Sequence, residues 1–204
     1  ARYIDANITD GLSQAEGTIG EMVDRLADLP LLHQPGERFT YSLGVDVLGR
    51  VIEVATGQTL ADYVTAEIFD PLGMADTSFF KDPSEAARFA SLYAPVGNGI
   101  VKVTEQPVVS PDQRTIYSAG YPYGETQRYF SGGAGLTSTI SDYARLLLAL
   151  LNGGELEGTR ILGRRTVQLM TRDHLVGLGV PPGGQQFGLG FAISDERGVT
   201  GGPR

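Results

Sequence analysis

The sequence predicts an α+β chain that is mostly helical and carries little sheet. Three observations lead there. Helical apolar periodicity runs through three successive segments before residue 73, a further helical pair falls between residues 141 and 172, and the short apolar run Phe187 to Ile193 has the length of a strand. With 204 residues, 41% of them hydrophobic and 20% charged, the chain can bury one ordinary core.

Thr18 and Glu21 have the spacing of a capping box, and Ile19, Met22, Val23, Leu26 and Leu29 recur at helical intervals until Pro30. Pro35-Gly36-Glu37 is turn chemistry leading into Tyr41-Ser42. The apolar stretch Leu43 to Ala55 then places Leu43, Val47, Val51 and Val54 on one side of a helix and Val45, Leu48 and Ile52 on another. That pattern predicts a helix buried over much of its circumference and ended by Gly57. A third helix is expected from about Thr59 to Phe69, with Leu60, Tyr63, Val64 and Ile68 inward and Pro71 and Gly73 closing it.

Residues 81 to 128 hold scattered Pro and Gly, short β-favouring pieces such as Ile100 to Thr104, and aromatic residues Tyr117, Tyr121 and Tyr123 leading to Tyr129. They read as long loops over a cleft, with the tyrosines packed in loops or lining a wall. After the tight segment Ser131 to Gly135, Ser141 is placed to cap a helix whose Tyr143, Leu146, Leu147, Leu150 and Leu151 face a core until Asn152-Gly153-Gly154. Another helix is expected around Arg164 to Arg172, followed by a Gly/Pro loop from Gly177 to Gly184. Together these elements form a helical lobe over about residues 17–172 and a sheet segment over about 187–193.

Composition removes several function classes. The formal charge of -8 repels phosphate backbones and anionic lipid surfaces, which argues against a nucleic-acid partner. No window approaches the apolar length of a membrane-spanning helix. Without cysteine there is no disulfide framework, thiolate metal site or cysteine nucleophile, and cytosol and periplasm stay equally open. The two histidines, His33 and His174, are far apart in the chain, and no phosphate-binding or dinucleotide-binding glycine loop is present, so no metal or cofactor is expected. Ala1 is not an initiating methionine and Gly201 to Arg204 brings no evident tail, so the chain reads as an internal fragment.

Two serine motifs come close to known nucleophile patterns. Thr40 to Gly44 is one residue away from a Gly-x-Ser-x-Gly elbow, but Thr40 stands where the sharp turn favours glycine. Ser78-Phe79-Phe80-Lys81 has literal Ser-x-x-Lys spacing, yet its Pro/Gly/Asp-flanked surroundings are not a helix start that would set serine and lysine on one face. Ser78 is therefore set aside.

The run from Leu31 to Gly49, with Pro35-Gly36 followed by Tyr41-Ser42-Leu43, resembles the Pro-Gly-x-x-x-x-Tyr-Ser-Asn segment of class C β-lactamases, D-alanyl-D-alanine peptidases and β-lactamase-like esterases. Ile68 to Phe79 is similar to that family's Pro-Leu-Gly-Met-x-x-Thr stretch, and Ser131 to Asn152 to its Gly-Gly-x-x-Ser-Thr-x-x-Asp helix start. The resemblance implies the helical portion of the β-lactamase/transpeptidase-like fold. It also implies an acyl-serine mechanism, in which a Ser-x-x-Lys serine upstream of the motif tyrosine attacks an acyl carbonyl while lysine and tyrosine manage the proton. A serine hydroxyl is a weak nucleophile until a base takes that proton.

On the matching positions Tyr41 would be the catalytic tyrosine, and Ser42, Leu43, Ser131, Gly132 and Gly133 would border the substrate, a small-molecule ester or β-lactam. Ser131 to Gly133 equally fits a tight approach to a helix. Leu43 departs from the β-lactamase pattern, which has an asparagine there able to bond the substrate amide. Losing such a contact costs on the order of 1–3 kcal/mol and favours an apolar ester, unless Leu43 simply belongs to the core. Val199-Thr200-Gly201 echoes a family strand motif but supplies no charge, and is expected to be a loop. The implied activity is that of a serine hydrolase, a carboxylesterase before a β-lactamase, with the isolated chain inactive. A peptidase and a catalytically inactive binding module are the alternatives.

Overall fold

The structure, a computed structural model, describes residues 2–9, 17–104, 108–109, 116–117, 128–178 and 186–193. Its helices are α1 (Arg2–Asp5), α2 (Ile19–Ala27), α3 (Gly44–Thr56), α4 (Leu60–Val64), α5 (Asp70–Leu72), α6 (Ile140–Leu151) and α7 (Arg164–Met170). The strands form four antiparallel two-stranded ladders: β1 (Tyr93–Val96) with β2 (Gly99–Lys102), β3 (Val108–Val109) with β4 (Ile116–Tyr117), β5 (Glu155–Leu156) with β6 (Thr159–Arg160), and β7 (Gln186–Phe187) with β8 (Ala192–Ile193). The architecture is α+β and dominated by helices, as the periodicity predicts.

The α2 start is the expected capping box. Thr18 Oγ1 accepts from the Glu21 N–H at 3.2 Å, and Glu21 Oε2 accepts from the Thr18 N–H at 2.8 Å. Ile19 and Met22 on its inner face form one core cluster with Tyr129, against which Ile8, Val23, Leu26 and Leu43 pack. Helix α3 ends at Gly57 in the left-handed conformation, as expected. The third helix runs further than its sequence pattern suggests. Its α-helical turn gives way to a π-helical turn at Thr65–Phe69, Pro71 sits inside α5, and left-handed Gly73 alone closes it. Phe69, Leu72, Met74 and Ala149 make a second cluster with Val64, Ile68, Leu146, Leu156 and Ile161.

Four expectations are corrected. Helix α3 is not enclosed: Val45, Leu48, Val51 and Val54 are all exposed, and only Asp46 and Gly49 are buried. The α6 cap is Thr139 rather than Ser141. Thr139 has the extended backbone of an N-cap and its Oγ1 accepts from the Asp142 N–H at 3.2 Å, whereas Ser141 is already helical. On α6 Tyr143, Leu147 and Leu151 face outward, because the side that packs inward is centred on Asp142, Leu146 and Ala149. Finally, Phe187 to Ile193 is a tight hairpin rather than one strand. It reverses at left-handed Gly190 and pairs Phe187 with Ala192.

The inward choice on α6 has a polar cause. Buried Asp142 accepts through Oδ2 from the Asp76 N–H and the Thr77 hydroxyl, both at 2.8 Å, tying the helix to the segment after Gly73. An antiparallel bridge between Ser78 and Thr137 continues that seam. Arg145 adds a hydrogen bond to the Leu72 carbonyl. The β5–β6 hairpin went unrecognised in the sequence although its signal is local: Glu157-Gly158, both at positive φ, is a turn pair between two-residue strands.

Close packing between the lobe's elements relies on glycine at several points, Gly132 among them. A β-carbon on Gly132 would overlap the Val45 carbonyl, whereas one on Gly44 would meet nothing within 4 Å. Gly132→Ala is therefore expected to lower stability by about 1–3 kcal/mol, read as a lower urea midpoint, with Gly44→Ala leaving the midpoint unchanged or slightly raised.

Candidate functional site

The segment that delivers Tyr41 is built by its own local hydrogen bonds. Around Pro35 and left-handed Gly36, the Glu37 N–H donates to the Gln34 carbonyl at 3.2 Å and the Gln34 N–H donates to Glu37 Oε2 at 3.1 Å. His33 closes the loop onto its own far end. Its Nδ1 lies 3.0 Å from the Gln34 carbonyl, which can only accept, so Nδ1 carries the proton; its Nε2 lies 2.8 Å from Thr40 Oγ1. Phe39 contacts the ring of Phe187 at a centroid distance of 6.4 Å, bringing the β7–β8 hairpin beside this loop.

Tyr41 follows at once and is 92% exposed, with Ser42 exposed beside it. Leu43 is half-buried and packs against the Ile19, Met22 and Tyr129 cluster. Its core role is thus visible in the contacts.

In the first turn of α3 stands the residue that sequence reasoning missed. Asp46 is 1% exposed, and its Oδ1 accepts from the Ser131 hydroxyl at 2.6 Å and the Tyr129 hydroxyl at 3.2 Å. Ser131, also buried, accepts in turn from the N–H groups of Gly133 at 3.1 Å and Ala134 at 3.0 Å. The Ser131–Gly133 segment is consequently a strap tied to the start of α3, and Gly132 permits its close approach to the Val45 carbonyl. Gly132 and Gly133 keep exposed surface beside that first turn. The sequence does not single it out, since Asp46 shares the apolar run Leu43 to Ala55 with a second carboxylate, Glu53.

Tyr129 belongs to loop packing rather than to a cleft wall, since it is buried against α2. Tyr117 is half-buried in β4; Tyr121, Tyr123, Gly179 to Gly184 and Val199 to Arg204 lie outside the described residues.

The literal Ser-x-x-Lys lies outside any helix, with Ser78 in an isolated bridge and Phe79 in a bend. Ser78 donates its hydroxyl to the Phe80 carbonyl at 2.7 Å and pairs its backbone with Thr137. Without a helical turn, the segment lacks the geometry that sets a serine and a lysine three residues apart on one face. Lys81 lines a cleft of about 260 Å³ with Asp76, Glu85, Arg88 and Thr137 to Thr139. There Arg88 pairs with Asp76 at 2.6 Å and Glu85 at 3.0 Å. The Asp76 hydrogen bond and charge hold the guanidinium above its already high ordinary value. Lys102, the other lysine, is exposed on β2. Among the described residues no group of three His, Asp or Glu side chains could hold a metal ion, and no helix is long and apolar enough to cross a membrane.

Removing the buried carboxylate tests the tie at the start of α3. Asp46→Ala leaves the Ser131 hydroxyl without its acceptor and is expected to cost about 1–3 kcal/mol, whereas Asp46→Asn keeps an acceptor oxygen and should lose less, both read from urea unfolding.

Comparisons with known proteins place the chain in a family. The family model described as Beta-lactamase matches residues 2–203. The esterase EstB of Burkholderia gladioli is 34% identical over 208 residues, covering 99% of this chain and 51% of its own length. A Salmonella typhi protein provisionally named a D-alanyl-D-alanine carboxypeptidase is 31% identical over 212 residues, covering 98% of this chain and 44% of its own. Among solved structures, EstCE1, a hydrolase with promiscuous acyltransferase activity, superposes with a TM-score of 0.81 at 25% identity, over 99% of this chain and 52% of that one. The chain thus spans about half the length of the relatives it matches. Its motifs, its helical lobe and these likenesses make it a member of the β-lactamase-like family of serine hydrolases.

Proposed function

We propose that residues 1–204 supply the tyrosine-bearing helical lobe of an acyl-serine hydrolase whose preferred substrates are carboxylic esters. The observation that carries this is Tyr41. It is fully presented to solvent at the start of α3, between a loop closed by His33 and a helix turn anchored by Asp46, in the segment that resembles the family's tyrosine motif. A large aromatic residue left outside while its neighbour Leu43 turns into the core is placed to meet something other than this lobe.

In the proposed reaction a serine hydroxyl attacks the ester carbonyl and its proton passes towards Tyr41 and an adjacent lysine. The alcohol leaves with a proton as the acyl-serine forms, and water then releases the acid. The serine and lysine come from outside residues 1–204, since Ser78 and Lys81 are the only Ser-x-x-Lys pair here and do not lie on a helix. His33 and Asp46 position Tyr41 through the backbone on either side of it. Ser42 and the exposed Gly132 and Gly133 flank the start of α3 and border the acyl group.

Support for an ester substrate comes from the likeness to EstB and EstCE1. It does not come from Leu43, whose side chain is engaged in the core. A peptidase acting on D-alanyl-D-alanine ends is the second reading, favoured by the Salmonella relative. Relative rates of a nitrophenyl ester and a D-alanyl-D-alanine peptide separate the two.

Three variants of the whole gene product test the assignment. Tyr41→Phe is expected to lower kcat for nitrophenyl ester hydrolysis by a factor on the order of 10² to 10⁴, and in the isolated 204-residue chain to leave the unfolding midpoint unchanged, because Tyr41 is exposed there. Ser42→Ala and Ser78→Ala should retain turnover. The isolated 204-residue chain should show no hydrolysis, and activity abolished by Ser78→Ala would refute the proposal.

A further inference from the structure

Charge is distributed along this chain in two opposed blocks. Residues 51–80 carry Glu53, Asp62, Glu67, Asp70 and Asp76 and no basic residue, whereas residues 158–172 carry Arg160, Arg164, Arg165 and Arg172 and no acidic one. Part of each block is neutralised within the molecule. Glu53 pairs with Arg50, Asp76 with Arg88, and Arg160 with Glu155. Glu67, Asp70, Arg164, Arg165 and Arg172 are exposed and take part in no ion pair among the described residues. Asp62, also exposed, accepts from the Thr59 hydroxyl at 2.7 Å. The two free halves are neighbours: Ile68 and Phe69 of the acidic run and Ile161 of the basic one pack into one core cluster. Val167 is the buried residue of α7, and the arginines around it stay at the surface. Arg164 and Arg165 stand in the first turn of α7, where positive charge opposes the helix dipole and does nothing for the lobe's own stability. The runs also match in length. Asp62 to Asp70 and Arg164 to Arg172 are both eight residues apart, a span of about 12 Å at the helical rise.

From this we infer that the surface formed by residues 62–70 and 164–172 is a contact between two copies of this protein related by a two-fold axis. Across such an axis the acidic run of each copy faces the basic run of the other. A two-fold contact requires one patch to be its own complement, and opposite charges side by side on one molecule meet that requirement. The formal charge of -8 counts against a nucleic acid or an anionic lipid surface as the occupant. A separate acidic protein would satisfy the arginines and set its own charge against Asp62, Glu67 and Asp70. A second copy satisfies both runs at once. The inference goes beyond the hydrolase proposal and does not require Tyr41 to be catalytic.

Sedimentation equilibrium of the whole gene product tests it. At about 0.01 M ionic strength, where charges act over about 30 Å, the unaltered protein should dimerise; at about 1 M, where that reach falls to about 3 Å, its dissociation constant should rise at least about tenfold. Two variants reverse one run each: Arg164→Glu with Arg165→Glu, and Glu67→Lys with Asp70→Lys. Either one alone sets like charges against each other across the axis and should weaken the dimer at least about tenfold. Mixed in equal amounts, the two should form dimers again, because one then offers two acidic runs and the other two basic ones. A variant that merely fails to fold gives no such recovery, and the salt dependence of the unaltered protein stands whether or not a reversal folds. A monomer at both ionic strengths, a dimer indifferent to salt and to both variants, or folded variants that stay monomeric when mixed would overturn the inference. A monomeric product that hydrolyses esters would refute the contact between copies and leave the hydrolase proposal standing.

Discussion

The arrangement around Tyr41 depends on one buried carboxylate. Asp46 accepts from the Ser131 hydroxyl, and Ser131 gathers the Gly133 and Ala134 N–H groups of the 131–134 strap. A charge buried this deeply is costly unless its partners are in place, so the strap and the first turn of α3 are held in one register. The contacts at Gly132 make the same demand sterically. Tyr41 stands three residues before that helix.

A second buried carboxylate organises the other half of the lobe. Asp142 joins α6 to the Asp76–Thr77 segment, and the core of Phe69, Leu72, Met74 and Ala149 lies beside that junction. Both carboxylates act on loops that arrive from far along the chain and have little regular structure of their own. Polar ties with defined geometry place such loops more specifically than apolar contact does. The chain therefore carries few strands and still holds its loops against the helices.

Much of the fold was legible in the sequence because its signals were local. The Thr18–Glu21 capping box, the Gly57 and Gly73 stops and the α6 and α7 periodicities depend on neighbours within a turn or two. The errors have a common physical source. Apolar periodicity reports which residues seek burial but not what buries them, so Leu48 and Val51 read as core although nothing among the described residues covers them. Likewise Leu147 and Leu151 of α6 are apolar and exposed, because Asp142 turned the helix. At the site, the tyrosine segment was visible as a motif, while the tie from Asp46 to Ser131 spans 85 positions and leaves no local pattern.

These features describe a lobe whose outer surface is prepared for more than it contains: an exposed aromatic residue, an apolar helix face beside it, and neither lysine set for acyl transfer. The central claim is that the acylated serine lies outside residues 1–204. Labelling the whole gene product and the isolated chain with a serine-reactive fluorophosphonate, followed by peptide mass mapping, tests it most directly. The account predicts one adduct in the whole product on a serine beyond these 204 residues, and none on the isolated chain. Stoichiometric labelling of Ser42, Ser78 or any other serine within the chain would contradict it.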